Sequence, residues 1–405
     1  MYEDGSPTKE YHQKYYGENI EYSDFIDDFT ADNWDPEAWA DFFATIGAKY
    51  VVLTGEHHDG FPLWDTHYAE HDASSRGPQR DIVRDLSEAV RDTGLKFAAS
   101  YHANFNYYQP GFEGRFGHPD FNPGSPFDAD AGPGKEYVEF MNAKHRELIR
   151  KYRPDLLWFD LPKADSTHAR VKELIADYYN LAHEWEKDVV VNNRASTDAL
   201  GHGDEPFHGD FSTPEYDTLD EISEEKWESC RGIGHSFGYN QTETKEDYLS
   251  REELVHSLVD IVSKNGNLLL NIGPKADGTI PGIQKNRLLG LGEWLDTNGA
   301  AIFGTRPWAI AEDDRSDVEV RYTWRDGNLF STALTWPGES LTLSIPEHVS
   351  LEELSEAVLL TPSGDMEVEV SQSAEQLTIT LPDESPGTNY AHTIRISEVE
   401  NPRSN

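Results

Sequence analysis

Residues 35–60 read DPEAWADFFATIGAKYVVLTGEHHDG, and the order of elements in this stretch sets the architecture. Asp35 is placed as a helix N-cap, Pro36 sits in the first turn, and Gly47 ends the helix. The β-rich strand Tyr50-Val51-Val52-Leu53-Thr54 follows at once, and the polar run Glu56-His57-His58-Asp59 stands just beyond it. A helix feeding a strand that ends in polar side chains is the repeating unit of a parallel α/β fold.

The unit recurs on either side. A helix capped by Asp81 carries Ile82, Val83, Leu86, Ala89 and Val90 on one face, stops at Gly94, and leads into a strand over 96–101. Ser250 and Glu253 form a capping box ahead of Leu254, Val255, Leu258, Val259 and Val262, followed by a strand over 268–272. Further strands are expected over 156–161, 189–194, 208–213 and 235–240, giving seven. A stretch of this length suits a TIM-type (β/α) barrel, one strand short of closure. After about Thr305 the periodicity changes to two. Val318, Val320, Tyr322 and Trp324 alternate with polar residues before an Asp326-Gly327 hairpin turn, and Leu341/Leu343/Ile345, Met366/Val368/Val370 and Leu377/Ile379/Leu381 repeat the pattern. The expected organisation is a catalytic barrel over 1–304 and an antiparallel β-sandwich over 305–405. Trp324 and Trp336 suit either a sandwich core or a glycan-binding face, and a buttressing role is the preferred reading.

Composition narrows the function. Of 405 residues, 75 are acidic and 34 are Lys or Arg, a formal net charge of −41. Such a field repels phosphates, which argues against nucleic acid and anionic membrane surfaces as partners. The acids are spread over folded segments, a pattern expected of a surface adapted to concentrated salt. Cys230 is the single cysteine, so no intrachain disulfide forms and a reducing compartment is compatible. No run approaches the roughly 18 apolar residues that span a bilayer. The polar opening segment does not read as a secretory signal, so a soluble, cytoplasmic protein is expected. Nothing in the sequence specifies an oligomeric state.

Barrel active sites are built at the C-terminal ends of the strands. Those ends carry Glu56-His57-His58-Asp59, Tyr101-His102, Asp160, Arg194, Glu215, Asn240 and Asn271. Carboxylates, a cation, histidines and aromatics together suit a sugar. Asp160 follows the apolar run ending in Trp158 and Phe159, where an ionised carboxylate needs partners. Taken alone it reads equally as a helix cap, and Glu215 alone reads as a solvated loop residue. Adjacent His57 and His58 point to opposite faces in extended chain, which disfavours joint ligation of one metal. His67 to His71 spells H-x-x-E-H, but its polar, Gly/Pro-punctuated surroundings give no buried helix to carry a metal site. No metal and no organic cofactor is expected.

The stretches YVVLTGEHHDGFPLWDT (50–66), RGPQRDIVRDL (76–86), LLWFDL (156–161), VVVNNR (189–194), GDFSTPEY (209–216), IGHSFGYN (233–240) and SKNGNLLLNIGPKADGTIP (263–281) together resemble the retaining α-L-fucosidases of glycoside hydrolase family 29. The resemblance runs from about residue 30 to 305 in the family's order. It implies that Asp160 is the nucleophile of a covalent glycosyl-enzyme mechanism and Glu215 the acid/base. It also implies that His57, His58, Tyr101 and Arg194 bind the fucose ring or hold the carboxylates, with Trp158 a packing partner in the pocket, and that the substrate is a fucoside. Two departures stand out. The family's opening F-G-I-F-x-H-W-G strand has no counterpart, so Met1 is expected to be an internal methionine of a longer product, which leaves localisation open. Glu56 stands where the family often has Lys. Two competing readings are a non-catalytic carbohydrate-binding relic and a metal-dependent hydrolase using the histidines.

Overall fold

The computed structural model describes residues 7–17, 20, 22–57, 59–69, 71–102, 135–160, 171–195, 209–313, 316–346, 356–373, 376–387 and 389–403. In chain order the first part comprises α1 (Pro7–Tyr15), α2 (Pro36–Thr45), β1 (Tyr50–Glu56), α3 (Ile82–Asp92), β2 (Lys96–Tyr101), α4 (Lys135–Tyr152), β3 (Leu156–Phe159), α5 (Val171–Glu184), β4 (Val190–Val191), β5 (Trp227–Gly232), α6 (Arg251–Ser263), β6 (Gly266–Asn271) and α7 (Gly282–Asn298). The helix starts read from the sequence are in place. Asp35 accepts from the Ala38 N–H, Asp81 from that of Arg84, and Ser250 and Glu253 close their capping box.

Strands β1 to β4 pair in parallel in chain order. Isolated parallel bridges at Asn192–Phe211, Ser212–Trp227 and Glu215–Cys230 carry the array from β4 through residues 211–215 to β5, which pairs in parallel with β6. Side chains alternate across this wall. Ala98, Leu156, Trp158 and Cys230 form one cluster inside it, whereas Phe97, Ala99, Leu157 and Phe159 join the larger core under the helices. Strands β3 and, apart from Lys96, β2 are buried, but β1 and β6 are half-buried over most of their length. They are the two ends of the array, and among the described residues no strand joins them. The fold is a TIM-type barrel in which β1 and β6 are unjoined among the described residues.

The expected strand list needs two corrections. Residues 235–240 are loop: Gly234 and Gly238 interrupt the apolar run, and Phe237 and Tyr239 are exposed. The strand at this place in the array is β5, whose sequence WESCRG hides behind two charged residues. Its Glu228 is nonetheless buried, because hydrogen bonds satisfy it inside the barrel. The expected strands over 189–194 and 208–213 shrink to two residues and a few bridges.

The remaining strands are β7 (Glu312–Asp313), β8 (Val320–Arg325), β9 (Asn328–Ala333), β10 (Ser340–Ser344), β11 (Ala357–Leu359), β12 (Met366–Glu367), β13 (Glu369–Gln372), β14 (Gln376–Thr380) and β15 (His392–Ser397). They form antiparallel sheets ordered β12-β11-β15-β9-β8-β7 and β10-β14-β13, whose inner faces share one core. Asp326 and Gly327 both have positive φ (52° and 81°), as the two-residue hairpin between β8 and β9 requires. Trp324 and Trp336 pack against the sandwich core. Val255, Val259, Leu291 and Trp294 of α6 and α7 pack with Leu334 and Ala391, and Trp294 Nε1–H donates to the Ala391 carbonyl at 2.9 Å, so the sandwich is keyed to the barrel.

Candidate active site

The interior register of the barrel decides which side chains meet. Along β2, Ala98, Ser100 and His102 share the inner face. Along β3, Leu156, Trp158 and Asp160 do the same, so His102 and Asp160 emerge side by side at the C-terminal rim. His102 Nδ1 lies 3.0 Å from Asp160 Oδ2. The other oxygen, Oδ1, accepts from Arg194 Nη2–H at 2.8 Å and Nε–H at 3.1 Å. Arg194 enters from the segment just beyond β4, and its guanidinium lies over the Trp158 ring, 5.0 Å from the centroid. Burial pushes the Asp160 carboxyl up, but the His102 contact and charge and the Arg194 guanidinium together hold it well below the usual carboxylate range. Asp160 is therefore an ionised, oriented carboxylate in a largely buried position.

Arg194 also reaches Glu215. The same Nη2 that donates to Asp160 lies 3.0 Å from Glu215 Oε2. The two bond lengths together cap the separation of the bridged oxygens at about 5.8 Å. Glu215 is the more exposed of the pair, at 36% of its side chain against 13% for Asp160. Arg194 itself is buried; desolvation works against its charge, and Asp160 and Glu215 more than offset that, raising its pKa above the ordinary value.

Beneath this layer lies a polar group inside the barrel. Glu228 of β5 is buried, accepting from Trp158 Nε1–H at 2.9 Å and from the Tyr50 hydroxyl of β1. Burial pushes its carboxyl up to about 7, against the opposing effects of those two hydrogen bonds and of Arg194. Trp158 is thus fixed from below by Glu228, and its upper surroundings are Arg194 and the His102 ring, 26° from coplanar at 6.1 Å between centroids.

The other sequence-predicted residues fall as follows. His57 is exposed, with its ring 4.5 Å from that of His102. His58 lies outside the described residues. Tyr101 is a correction: it is the odd neighbour in the β2 alternation, so its ring turns outward into the core against Trp64 and His145, at 6.1 and 4.4 Å. His102, which the period-two parity of β2 could have singled out, takes the place beside Asp160. Glu228 and Tyr50 were also missed. A Glu in a strand sequence gives no sign of burial, and Tyr50 reads simply as a strand residue.

Among the described residues, no group of three or more His, Cys, Asp or Glu side chains is arranged to hold a metal ion. Nor is any described helix long and apolar enough to cross a membrane.

Known proteins resemble this chain over most of its length. The profile of the alpha-L-fucosidase family matches residues 1–300. An alpha-L-fucosidase of Dictyostelium discoideum is 32% identical, covering 98% of this chain and 84% of its own length. Human tissue alpha-L-fucosidase is 30% identical over 95% of this chain and 79% of its own. Among solved structures, the Thermotoga maritima alpha-fucosidase in complex with fucose is 39% identical with a TM-score of 0.79, covering 96% of this chain and 85% of that one. An alpha-L-fucosidase of Bacteroides thetaiotaomicron, assigned to GH29 and trapped as a covalent intermediate, shares the fold at 22% identity and a TM-score of 0.74, over 92% of this chain and 84% of its own. This chain belongs to the alpha-L-fucosidase family.

Proposed function

We propose that this chain is an exo-acting α-L-fucosidase that hydrolyses terminal α-L-fucosides with retention of anomeric configuration. The observation that carries the reading is the single Arg194 nitrogen shared by Asp160 and Glu215. It caps the separation of the two oxygens near 5.8 Å. Retaining glycosidases hold their carboxyl groups about 5–5.5 Å apart, and inverting ones need about 6.5–9.5 Å to admit a water between them.

Asp160 is the nucleophile. Held ionised by His102 and Arg194, it attacks the anomeric carbon as the glycosidic bond breaks, and Glu215 delivers a proton to the departing oxygen. A covalent fucosyl–Asp160 ester results. Glu215, now a carboxylate, removes a proton from a water that attacks the same carbon and releases the ester. Arg194 contacts the carboxylates in both half-reactions, His102 is held between Ser100 and Asp160 and orients the nucleophile, and His57 beside it faces the sugar. Residues 1–304 form the catalytic unit in this reading and 305–405 its buttress. The single buried Cys230 suits a cytoplasmic setting.

The test uses an aryl α-L-fucoside in concentrated KCl. The parent is expected to turn over and release α-L-fucose first. Asp160→Gly is expected to lose turnover and, with azide supplied, to form the β-fucosyl azide in the cavity left by the carboxylate. First release of β-fucose, or undiminished turnover by Asp160→Gly, overturns the mechanism. A folded parent that binds fucose without turnover supports the carbohydrate-binding relic instead.

A further inference from the structure

Glu228 is 1% exposed, and both of its oxygens are engaged by neutral donors on other strands. Oε1 accepts from Trp158 Nε1–H of β3 at 2.9 Å, and Oε2 from the Tyr50 hydroxyl of β1. A glutamine at this place could accept the same Trp158 bond without the cost of taking a charge out of water. A carboxylate there needs a reason in its charge, and the cation it feels is Arg194, whose field acts against the effect of burial on the Glu228 carboxyl.

Trp158 stands between the two. Its Nε1–H is turned to Glu228, and its ring carries the Arg194 guanidinium 5.0 Å from the centroid. Negative charge at the indole N–H strengthens that hydrogen bond and raises the electron density of the ring face that attracts the cation. The guanidinium held there is the one whose Nη2 lies 2.8 Å from Asp160 and 3.0 Å from Glu215. The other titratable groups that face Glu228 among the described residues are Tyr50 of β1 and Cys230 of its own strand. Burial, and then the charge of Glu228, pushes the Tyr50 hydroxyl up and the Cys230 thiol up to about 12, so both stay neutral.

From this arrangement we infer that Glu228 is a positioning residue for Arg194, acting through the Trp158 ring, and that its carboxylate form completes the hold on the guanidinium that turnover needs. The inference rests on the fucosidase reading, because the place of Arg194 matters to turnover only if Asp160 and Glu215 are the reacting carboxyls. Burial pushes the Glu228 carboxyl up to about 7, so the change falls near neutrality. Stability and activity then run in opposite directions: the neutral acid suits the fold, and the carboxylate suits the reaction.

Glu228→Gln keeps the shape of the protonated acid and cannot ionise. The test follows kcat of the parent divided by kcat of Glu228→Gln on an aryl α-L-fucoside, in which the titration of Glu215 is common to both proteins. The ratio is expected to be near one at about pH 5 and to climb to about five- to tenfold at about pH 9, the difference between a charge-assisted and a neutral hydrogen bond, with KM little changed. A purely structural role gives the opposite slope, because the parent loses stability relative to Glu228→Gln as pH rises. Trp158→Phe leaves a ring beneath Arg194 but no N–H, and in that background the Glu228→Gln exchange is expected to alter kcat by less than about twofold. A ratio that is flat or falls with pH, or an undiminished effect of the exchange in Trp158→Phe, overturns the inference while leaving the fucosidase reading intact. A folded parent that turns over no fucoside overturns that reading, and this inference with it.

Discussion

The pair formed by Glu56 and Lys144 lends itself to a quantitative test. Glu56 closes β1 and Lys144 projects from α4; both side chains are almost wholly buried, and Nζ lies 2.9 and 2.7 Å from the two carboxylate oxygens. Glu56→Gln keeps shape and volume but leaves an ammonium buried beside a neutral amide. Breaking a buried pair in this way costs about 3–5 kcal/mol. Asp59 still attracts Lys144, which argues for the lower end, about 3 kcal/mol. With an unfolding entropy of about 2.1 cal/mol/K per residue over a barrel of about 300 residues, that is a fall in melting temperature of roughly 5 °C. Glu56→Leu with Lys144→Met removes both charges together and is expected to melt within about 1–2 °C of the parent. Because the pair is shielded from solvent, the loss in Glu56→Gln should be the same in dilute and concentrated KCl, unlike that of a surface pair. Calorimetry at two salt concentrations checks this. A Glu56→Gln protein melting with the parent, or a double variant melting as low as the single one, refutes the argument.

Glu228 links stability to pH. Its carboxyl is pushed up to about 7 from an ordinary value of 4.5. A raised carboxyl contributes stability that is complete below the ordinary value and disappears as pH climbs through the raised one. Relative to Glu228→Gln, which cannot titrate, the parent should lose roughly 3 kcal/mol between pH 4 and pH 8; parallel melting curves across that range count against it. Arg194→Lys replaces a fork by a point charge and cannot hold both carboxylates in the same geometry. It is expected to lower kcat/KM by about a hundredfold or more. The acid limb of the pH–rate profile should move upward as Asp160 loses the paired Nε and Nη2 contacts that help depress its pKa, and an unmoved limb argues against that role. The net charge of −41 predicts a melting temperature that rises steadily into molar KCl. A melting temperature independent of KCl removes the reading of a salt-adapted surface.

The elements legible in the sequence were those whose local chemistry and burial agree. Asp35, Asp81 and the Ser250–Glu253 box announced three helices because capping is local. The alternation of Val320, Tyr322 and Trp324 announced β8 because the other face carries polar side chains, Arg321, Thr323 and Arg325, which bond Asp260, Ala301 and Phe303. What escaped depends on contacts made across the barrel. Glu228 is buried only because Tyr50 and Trp158, far away in sequence, satisfy it, and nothing inside WESCRG records those partners. The loop at 235–240 imitated a strand because Phe237 and Tyr239 alternate with Ser236 and Gly238, yet both rings are exposed. Tyr101 was chosen over His102 although strand parity favours the residue two positions beyond Ser100. Glu56, which departs from the lysine common in the resembling family, is explained by the fold: the cation comes instead from Lys144 on α4.

The separation of the two carboxylates follows from the order of the strands. Asp160 ends β3, Arg194 lies just beyond β4, and Glu215 lies on the next bridged segment, so the cation occupies the middle place of three. Neighbouring strands stand about 4.8 Å apart, which places the outer two backbones roughly 10 Å from each other. Two carboxylates on such backbones fall into the range of an inverting enzyme unless something draws them together. The shared Arg194 nitrogen does so, and the Trp158 ring held by Glu228 prevents the guanidinium from sinking into the barrel. In the proposed mechanism Arg194 therefore sets the spacing as well as the charge, and the stereochemistry of the reaction depends on a residue that never bonds to the sugar's anomeric carbon.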